Sequence, residues 1–340
     1  MTVRVAQVGL GYWGPNLARA VAAVDGAELA VLCDADPERL KRLGRQYPAA
    51  RLSSDYADVL ADATTDAIIL ATPVETHFKL ARAALEAGKH VLVEKPLATT
   101  SADCEALISL ADERNLRLMV GHVFVYNAAV NKVKEYIDSG EIGDVYYVYS
   151  QRLNLGQVRQ DVNAMWNFAP HDISILCHWF GGEPENVTAR GHSYIQPGIE
   201  DVVFMNMDFA GGIGASVHIS WLDPLKVRRM TVVGSEKMVV YDDVSADAKL
   251  TIYDRGVTKR PIDRAGASLG SYRTYGEFQL LLRAGDVLIP KLDFTEPLIA
   301  ECQHFIRCIE SGDPPLSGGL QGLWVVRALE AAQRSMNGSR

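Results

Sequence analysis

Over the first 121 residues, apolar runs with strand propensity alternate with stretches in which apolar residues recur at helical spacing. Short apolar runs predict β-strands, and the spacing between them predicts amphipathic helices. The predicted strands are 3–8, 29–33, 66–71, 90–93 and 117–120, and the predicted helices are 15–24, 38–47, 75–87 and 101–114. Because strands that alternate with helices pair in parallel, this part of the chain is predicted to be a doubly wound α/β domain.

The pattern changes after Gly121. Helices are predicted at 128–139 and 164–180, with a strand of β-branched and aromatic residues at 145–152 between them. Strand-like runs then follow at intervals of about ten residues, which predicts an antiparallel or mixed sheet. These runs are 187–194, 201–209, 214–221, 226–233, 237–241 and 249–253, and helices at 296–310 and 320–336 close the chain.

Three glycines separate the first predicted strand from the first predicted helix: Gly9, Gly11 and Gly14. In a dinucleotide-binding turn the first glycine allows the tight turn, the second lets a pyrophosphate approach the backbone, and the third lets helix and strand pack closely. The anion would lie on the free N–H groups at the start of the helix. The G-x-G-x-x-G motif alone is a weak signal, so its context decides.

That context includes Asp34, which ends the second predicted strand twenty residues beyond Gly14. A carboxylate at this distance accepts hydrogen bonds from the adenosine ribose hydroxyls. It would repel a 2'-phosphate, and residues 35–37 supply no arginine, so NAD is predicted in preference to NADP. The alternative is that Asp34 or Asp36 only caps the helix that begins near Pro37.

Composition narrows the possible partners and the compartment. The chain has 340 residues, a formal net charge of −8 and 48% hydrophobic residues, which predicts two domains and no nucleic-acid or membrane-surface partner. The first predicted strand starts at the beginning of the sequence, so a cleavable signal peptide would have to be part of the fold. No apolar run approaches the roughly 18 residues needed to span a bilayer. Five scattered cysteines without a C-x-x-C pair favour free thiols and a cytoplasmic location. No cluster has metal-ligand spacing, and no metal is predicted.

Several motifs together resemble the Gfo/Idh/MocA family, which includes glucose-fructose oxidoreductase and inositol 2-dehydrogenase. They are the glycine turn, Ala71-Thr72-Pro73 with His77, Glu94-Lys95-Pro96 after the next buried strand, and the pair His171-Asp172. The resemblance covers essentially the whole chain. It implies an N-terminal Rossmann domain, here residues 1–121, and a C-terminal α+β domain, residues 122–340, with a large, mostly antiparallel open sheet that binds substrate and mediates oligomerisation. The last helix is expected to pack back on the Rossmann domain.

One branch of the family is more similar than the others, namely the nucleotide-sugar 3-dehydrogenases and 3-ketoreductases. The stretches that carry this similarity are 11–16, 149–156 and 169–174. The resemblance therefore implies hydride transfer between nicotinamide and a ring hydroxyl or ketone, at C3 of a nucleotide-linked hexose. A free sugar or an inositol is the alternative substrate.

The resemblance assigns Lys95 as the base that takes the hydroxyl proton as hydride leaves. Burial beside oxidised nicotinamide would lower the pKa of an ammonium group, which suits this role. Glu94 would orient Lys95 or a ribose hydroxyl, and the isomer of the Lys95–Pro96 bond stays open.

His171 is the second predicted catalytic residue. The family commonly has Asp-x-x-x-His in this helix, with both residues on one face. Here the first position is Asn167, and an amide does not carry the charge that supports an imidazolium, which shifts weight to Lys95. Asp172 points about 100 degrees round the helix, where it would meet substrate or a helix end. A sensor of NAD or sugar that has lost catalysis is therefore a further alternative.

The remaining predicted contacts follow from position. On the cofactor side they are Tyr12, Trp13, Thr72, Pro73 and His77, and on the substrate side His122, Tyr126, Arg152, Asn154, Arg159, Asn167 and Asp172. Arginine binds phosphate bidentately, so Arg152 and Arg159 would hold the diphosphate of a nucleotide sugar. Each of these residues has packing or a solvated loop as its alternative role. A homodimer or homotetramer is predicted because strands of the open sheet have an apolar face to cover.

Overall fold

The computed structural model describes residues 2–156, 158–257, 282–293 and 295–338. These residues form two compact units. The first contains the described residues within Met1–Ala128, Ala169–Glu183 and Phe294–Gly338, and the second those within Ala129–Phe168 and Pro184–Asp293. The boundary after residue 121 stays a prediction, but both units take segments from distant parts of the chain.

The first unit contains a six-stranded parallel sheet with the strand order β3-β2-β1-β4-β5-β6. The order reverses between β1 and β4, and open α/β sheets bind ligands at the carboxyl ends of the strands beside such a reversal. The strands are β1 (Val3–Val8), β2 (Ala27–Cys33), β3 (Arg51–Ser53), β4 (Ala67–Leu70), β5 (His90–Glu94) and β6 (Leu118–Gly121).

Helices cover both faces of this sheet. In chain order they are α1 (Gly14–Ala22), α2 (Pro37–Gly44), α3 (Tyr56–Ala61), α4 (His77–Glu86) and α5 (Ser101–Glu113). Asp36 caps α2 by accepting the N–H of Glu38 at 2.9 Å, which bears out the capping role considered for it. Short 3-10 turns lie at Val74–Thr76 and Val123–Tyr126.

Two helices from the end of the chain complete the cores of this unit: α8 (Pro297–Ser311) and α9 (Gly319–Gly338). On one face of the sheet, Leu323 and Val326 of α9 pack in a buried cluster with Ile68 and Val91. On the other face, Phe305 and other residues of α8 pack with residues of β1 and α1. Because both faces of this parallel sheet are buried, its strands carry apolar residues on both sides and are continuously hydrophobic.

The second unit contains an eight-stranded sheet with the order β14-β13-β12-β11-β7-β10-β9-β8. Strands β7 and β10 pair in parallel, and all other neighbours are antiparallel. The strands are β7 (Val145–Leu153), β8 (Asn186–His192), β9 (Val202–Phe209), β10 (Ile213–Ser220), β11 (Val227–Gly234), β12 (Met238–Asp242), β13 (Leu250–Val257) and β14 (Leu282–Leu288). The predicted large, mostly antiparallel sheet is confirmed.

Side chains alternate across this sheet. In β9, Val203, Met205 and Met207 are buried, whereas Phe204 between them is 46% exposed. The exposed face also carries Tyr147 and Tyr149. Two further helices are α6 (Ala128–Asp138) and α7 (Ala164–Phe180), and the latter contributes residues to both units. The five cysteines are buried and free, and no helix among the described residues is long and apolar enough to cross a membrane.

Candidate active site at the carboxyl ends of the parallel strands

The glycine turn connects β1 to α1, and each glycine is required for a different reason. Gly9 has a φ of +88°, and a Cβ there would lie 2.5 Å from the carbonyl oxygen of Ala71. A Cβ on Gly14 would lie 2.0 Å from the carbonyl oxygen of Gly9. At Gly11 a Cβ would meet only Arg39, at 3.7 Å, so the backbone here borders open space. This arrangement fits a pyrophosphate on Gly11, with the N-terminus of α1 beside it.

Asp34 lies directly beside this turn. One carboxylate oxygen accepts the N–H of Leu10 at 2.6 Å, and the other accepts the N–H of Asp36 at 2.8 Å. The residue is only 8% exposed, so the carboxylate is held rigidly at the end of β2. Two fixed acceptor oxygens at this position fit the ribose hydroxyls of a dinucleotide.

Arg39 was missed by the sequence analysis, which searched only residues 35–37 for a cation. Its guanidinium lies 3.7 Å from the Asp34 carboxylate and 3.2 Å from that of Asp36. Helical spacing was the available signal, because Arg39 follows the cap residue Asp36 by three positions on α2. A positive charge therefore stands next to the predicted ribose site.

Thr72 and Pro73 lie in the segment between β4 and α4, and His77 is the first residue of α4. The hydroxyl groups of Thr72 and Thr76 are 2.7 Å apart, and Thr76 also donates to the carbonyl of Pro73 at 2.6 Å. The ring of His77 is 1% exposed and contacts the carbonyl oxygens of Thr72 and Pro96. Burial is the main cause that lowers the pKa of His77.

Glu94 ends the neighbouring strand β5 and Lys95 follows it, and the Lys95–Pro96 peptide bond is cis. The Glu94 carboxylate accepts the N–H of Lys95 at 3.2 Å and a hydrogen bond from the Trp13 side chain. Burial raises the pKa of Glu94 to about 7, while Lys95 and these hydrogen bonds act in the opposite direction. Glu94 thus joins the glycine turn to the segment that carries Lys95.

His122 follows β6, the next strand of the sheet. It is 1% exposed, and within the described parts of the chain neither ring nitrogen has a hydrogen-bond partner. Burial, together with the charge of Lys95, lowers the pKa of His122 to about 3, so the ring is neutral. The Tyr126 hydroxyl, on the turn that follows β6, contacts the Ser317 hydroxyl at 3.0 Å.

Glu301 on α8 is a second residue that the sequence analysis missed. It is 0% exposed, and neither carboxyl oxygen has a hydrogen-bond partner among the described residues. Burial and then the charge of Glu94 raise the pKa of Glu301 well above its usual range. An ionised carboxylate without donors is very costly in a protein interior, so these surroundings favour the neutral form of Glu301.

Predicted substrate residues occur in both units. His171 belongs to the first unit, where its ring packs edge-on against Phe124 with centroids 5.0 Å apart, and Asp172 beside it is 1% exposed. Asn167, Arg152, Asn154 and Arg159 belong to the second unit. Arg152 is 5% exposed on β7, and Arg159 donates to Asp161 at 2.9 Å. Tyr12 is 95% exposed at the glycine turn.

Two family models match the chain. A model of the Gfo/Idh/MocA oxidoreductase family, with an NAD-binding Rossmann fold, matches residues 3–122, and the model of the family's C-terminal domain matches residues 130–240. Together they match more than half of the chain. The chain belongs to the Gfo/Idh/MocA family. The predicted family, its Rossmann domain and NAD as the cofactor are confirmed.

Individual members of the Gfo/Idh/MocA family are similar over different lengths. The UDP-N-acetylglucosamine 3-dehydrogenase of Acidithiobacillus ferrooxidans is 28% identical over 327 residues, 96% of this chain and 95% of that enzyme. Its solved structure has a TM-score of 0.82 at 25% identity and covers 99% of this chain and 98% of its own. The inositol 2-dehydrogenase 2 of Saccharopolyspora erythraea is 33% identical over 229 residues, 64% of this chain and 67% of that enzyme.

A further solved structure is the WlbA dehydrogenase from Bordetella pertussis in complex with NADH and UDP-GlcNAcA. It has a TM-score of 0.79 at 25% identity and covers 100% of this chain and 96% of its own. With three of the curated relatives the match is shorter, and there the chain spans 60 to 67% of the relative's length. Among the described residues, no group of three His, Cys, Asp or Glu side chains is placed to hold a metal ion.

Gly11→Ala and Gly14→Ala are expected to separate cofactor binding from stability. Gly11→Ala should leave the thermal unfolding midpoint unchanged and weaken NAD binding at least about tenfold, because a methyl group would occupy the pyrophosphate position. Gly14→Ala should also destabilise the protein, by about 1–3 kcal/mol or more, because its Cβ meets the Gly9 carbonyl. Calorimetric titration with NAD and thermal unfolding measure both effects. Equal NAD affinity in Gly11→Ala and wild type would contradict the proposed position of the pyrophosphate at Gly11.

Glu301→Gln is expected to stabilise the protein increasingly as the pH rises. Above the usual carboxyl pKa of about 4.3, the unfolded chain releases the Glu301 proton while the folded protein retains it. The free energy of unfolding of wild type therefore falls by up to about 1.4 kcal/mol per pH unit from this group, and glutamine removes that loss. Urea unfolding between pH 5 and 8 measures it. Glu310→Gln, at an exposed position of the same helix, is the control, and a pH-independent difference would show that Glu301 is ionised when folded.

Proposed function

We propose that the chain is an NAD-dependent dehydrogenase or reductase that transfers hydride between nicotinamide and a ring carbon of a hexose, C3 of a nucleotide-linked hexose. The observation that carries this proposal is the position of Lys95. It follows Glu94 at the end of β5, and Glu94 is hydrogen-bonded to Trp13 of the glycine turn. The Lys95 backbone N–H donates to the same Glu94 carboxylate at 3.2 Å, which supports a role for its titratable side-chain amine beside the proposed cofactor site.

Lys95 is the proposed proton acceptor. When bound, NAD supplies the hydride acceptor or donor of the reaction. In the oxidising direction the neutral Lys95 amine takes the hydroxyl proton, and in the reducing direction the ammonium returns it to the carbonyl oxygen. The charge of Lys95 affects the pKa values of His122, Glu94 and His77. His171 is proposed as a second acid or base from the family motif.

NAD is proposed in preference to NADP because both oxygens of Asp34 are fixed by backbone N–H groups. A 2'-phosphate would meet a rigid negative charge at this position. Arg39 offsets part of that charge, at 3.7 Å from the carboxylate. We therefore expect discrimination against NADP rather than its complete exclusion.

The nucleotide-sugar substrate is supported by the similarity to the Acidithiobacillus ferrooxidans enzyme over 96% of this chain. The stretches 11–16, 149–156 and 169–174 support it further. A diphosphate needs positive charge, and Arg159 suits that role better than Arg152, because Arg159 is exposed whereas Arg152 is 5% exposed. Asn154 lies between them in sequence and is a further proposed substrate contact, whereas Thr72 and Pro73 are proposed as cofactor contacts. An inositol is the second candidate substrate, favoured by the 33% identity to the Saccharopolyspora erythraea enzyme.

Self-association is proposed through the exposed face of the eight-stranded sheet. Tyr147 and Tyr149 are 47% and 41% exposed, with ring centroids 6.4 Å apart. On the same face, Phe204 stacks on His218 with centroids 4.4 Å apart. A contiguous aromatic surface of this kind is typical of an interface. A homodimer or homotetramer would cover it.

Lys95→Ala is expected to lower kcat by about 10²–10⁴-fold and to leave NAD binding intact. The measurement is the absorbance of reduced nicotinamide with NAD and then NADP, across UDP- and TDP-hexoses, free hexoses and inositols, followed by the reverse assay with ketosugars. Lys79→Ala, on the exposed side of α4, is the control and should behave as wild type. Activity with inositol alone would favour the second candidate. Bound NAD without turnover in either direction would favour a sensor.

Tyr147→Glu is expected to dissociate the oligomer, because it places a charge within the proposed aromatic interface. Sedimentation at micromolar concentration should give a dimer or tetramer for wild type and a monomer for the variant. Leu320→Glu adds the same charge at a 48% exposed position of α9 and should leave the oligomer intact. A monomeric wild type would refute the proposal.

A further inference from the structure

His77 is the first residue of α4, and its ring lies between two loops of the proposed active site. Its Nδ1 is 2.8 Å from the carbonyl oxygen of Pro96, and its Nε2 is 2.9 Å from the carbonyl oxygen of Thr72. The residue is 1% exposed. Both ring nitrogens are therefore in hydrogen-bond contact with backbone carbonyls.

The two carbonyls belong to segments that follow neighbouring strands. β4 pairs in parallel with β5 from Ala67 and His90 to Leu70 and Val93, and the chain then continues into Thr72 on one side and Lys95 on the other. Beyond Leu70 and Val93, this strand pairing no longer holds the two segments together. The His77 ring lies between them, with one ring nitrogen within 3 Å of a carbonyl oxygen of each segment.

We propose that His77 is a positioning residue that ties the Lys95–Pro96 segment to the Thr72–Pro73 segment and so sets where the Lys95 amine lies. This inference rests on the proposed function, in which Lys95 is the base. His77 acts through the backbone of Pro96, the residue directly after Lys95. The cofactor contact predicted for His77 would require one of its two carbonyl contacts to be released.

The protonation state of His77 decides how many bonds it makes. A carbonyl oxygen only accepts hydrogen bonds, and a neutral imidazole has one N–H. Neutral His77 therefore bonds one carbonyl and turns a lone pair toward the other, whereas an imidazolium bonds both. Burial and the charge of Lys95 disfavour the imidazolium, while Glu75 on the preceding turn and the two carbonyls favour it, and the net effect lowers the pKa of His77. At neutral pH we therefore expect His77 to adopt a single tautomer, with one N–H that is protected from exchange with water.

Four variants test the positioning role. His77→Phe removes both ring nitrogens, whereas the amide nitrogen of His77→Asn replaces Nδ1 and that of His77→Gln replaces Nε2. His77→Phe should lower kcat about 100-fold with NAD affinity changed less than about threefold, since misplacement of a catalytic group by about 1 Å has this effect. Asparagine or glutamine should restore part of kcat and thereby identify the bond that matters.

His90→Phe is the matched control at the opposite end of β5. In the wild type, Nδ1 of His90 accepts the N–H of Arg117 at 2.9 Å, and the His90 side chain is partly buried. This variant should lower the unfolding midpoint as His77→Phe does and leave kcat unchanged. If the His77 variants lose stability and keep wild-type kcat, His77 has only a structural role and the inference fails.

A measurement without substrate separates this inference from the proposed function. In nitrogen-15 NMR of the imidazole rings of the full chain without ligands, His77 should show a single tautomer with an N–H protected from exchange with water at neutral pH. Averaging tautomers or rapid exchange would overturn the inference even if the enzyme is active. Wild type without turnover on any substrate, combined with a protected His77 N–H, would refute the proposed function and leave the tie between the two segments in place.

Discussion

The close backbone contact between Gly9 and Ala71 is the constraint on which the site depends. A Cβ on Gly9 would lie 2.5 Å from the Ala71 carbonyl oxygen, so this contact exists only because position 9 is glycine. It brings the cofactor turn after β1 against the segment after β4, and Thr72 is the next residue. From there His77 reaches the backbone that follows Lys95. The glycine turn and the segment that carries Lys95 are therefore linked by the backbone contact between Gly9 and Ala71 and by the His77 ring.

Burial dominates the electrostatics of this region. It raises the pKa of Glu94 and Glu301 and lowers that of His77 and His122, and in each case it is the largest cause. Neutral forms of buried groups are therefore favoured near the proposed amine. Burial raises the pKa of Glu94 to about 7, so within this set Glu94 is the group that changes charge near neutral pH.

The sequence predicted those strands and helices whose own residues show a clear hydrophobic period. The parallel strands of the first sheet are continuously apolar, and those of the second sheet alternate, so their periods were readable. β3 (Arg51–Ser53) was missed because three residues form no period, and β14 (Leu282–Leu288) because Gly285 and charged residues interrupt it. Glu301 was missed because a single acid in an amphipathic helix normally lies on the exposed face.

The sequence alone determined the family, most of the strands and helices, the glycine turn, Asp34 and the candidate Lys95, because motif spacing and hydrophobic period are local properties of the chain. Only the tertiary structure decided what surrounds them: that Arg39 lies beside Asp34, that Glu301 is coupled to Glu94, and that His77 joins two loops. The physical reason is that burial and hydrogen-bond partners come from residues far apart in sequence. Neighbouring positions along the chain do not specify which distant groups will meet in the folded protein.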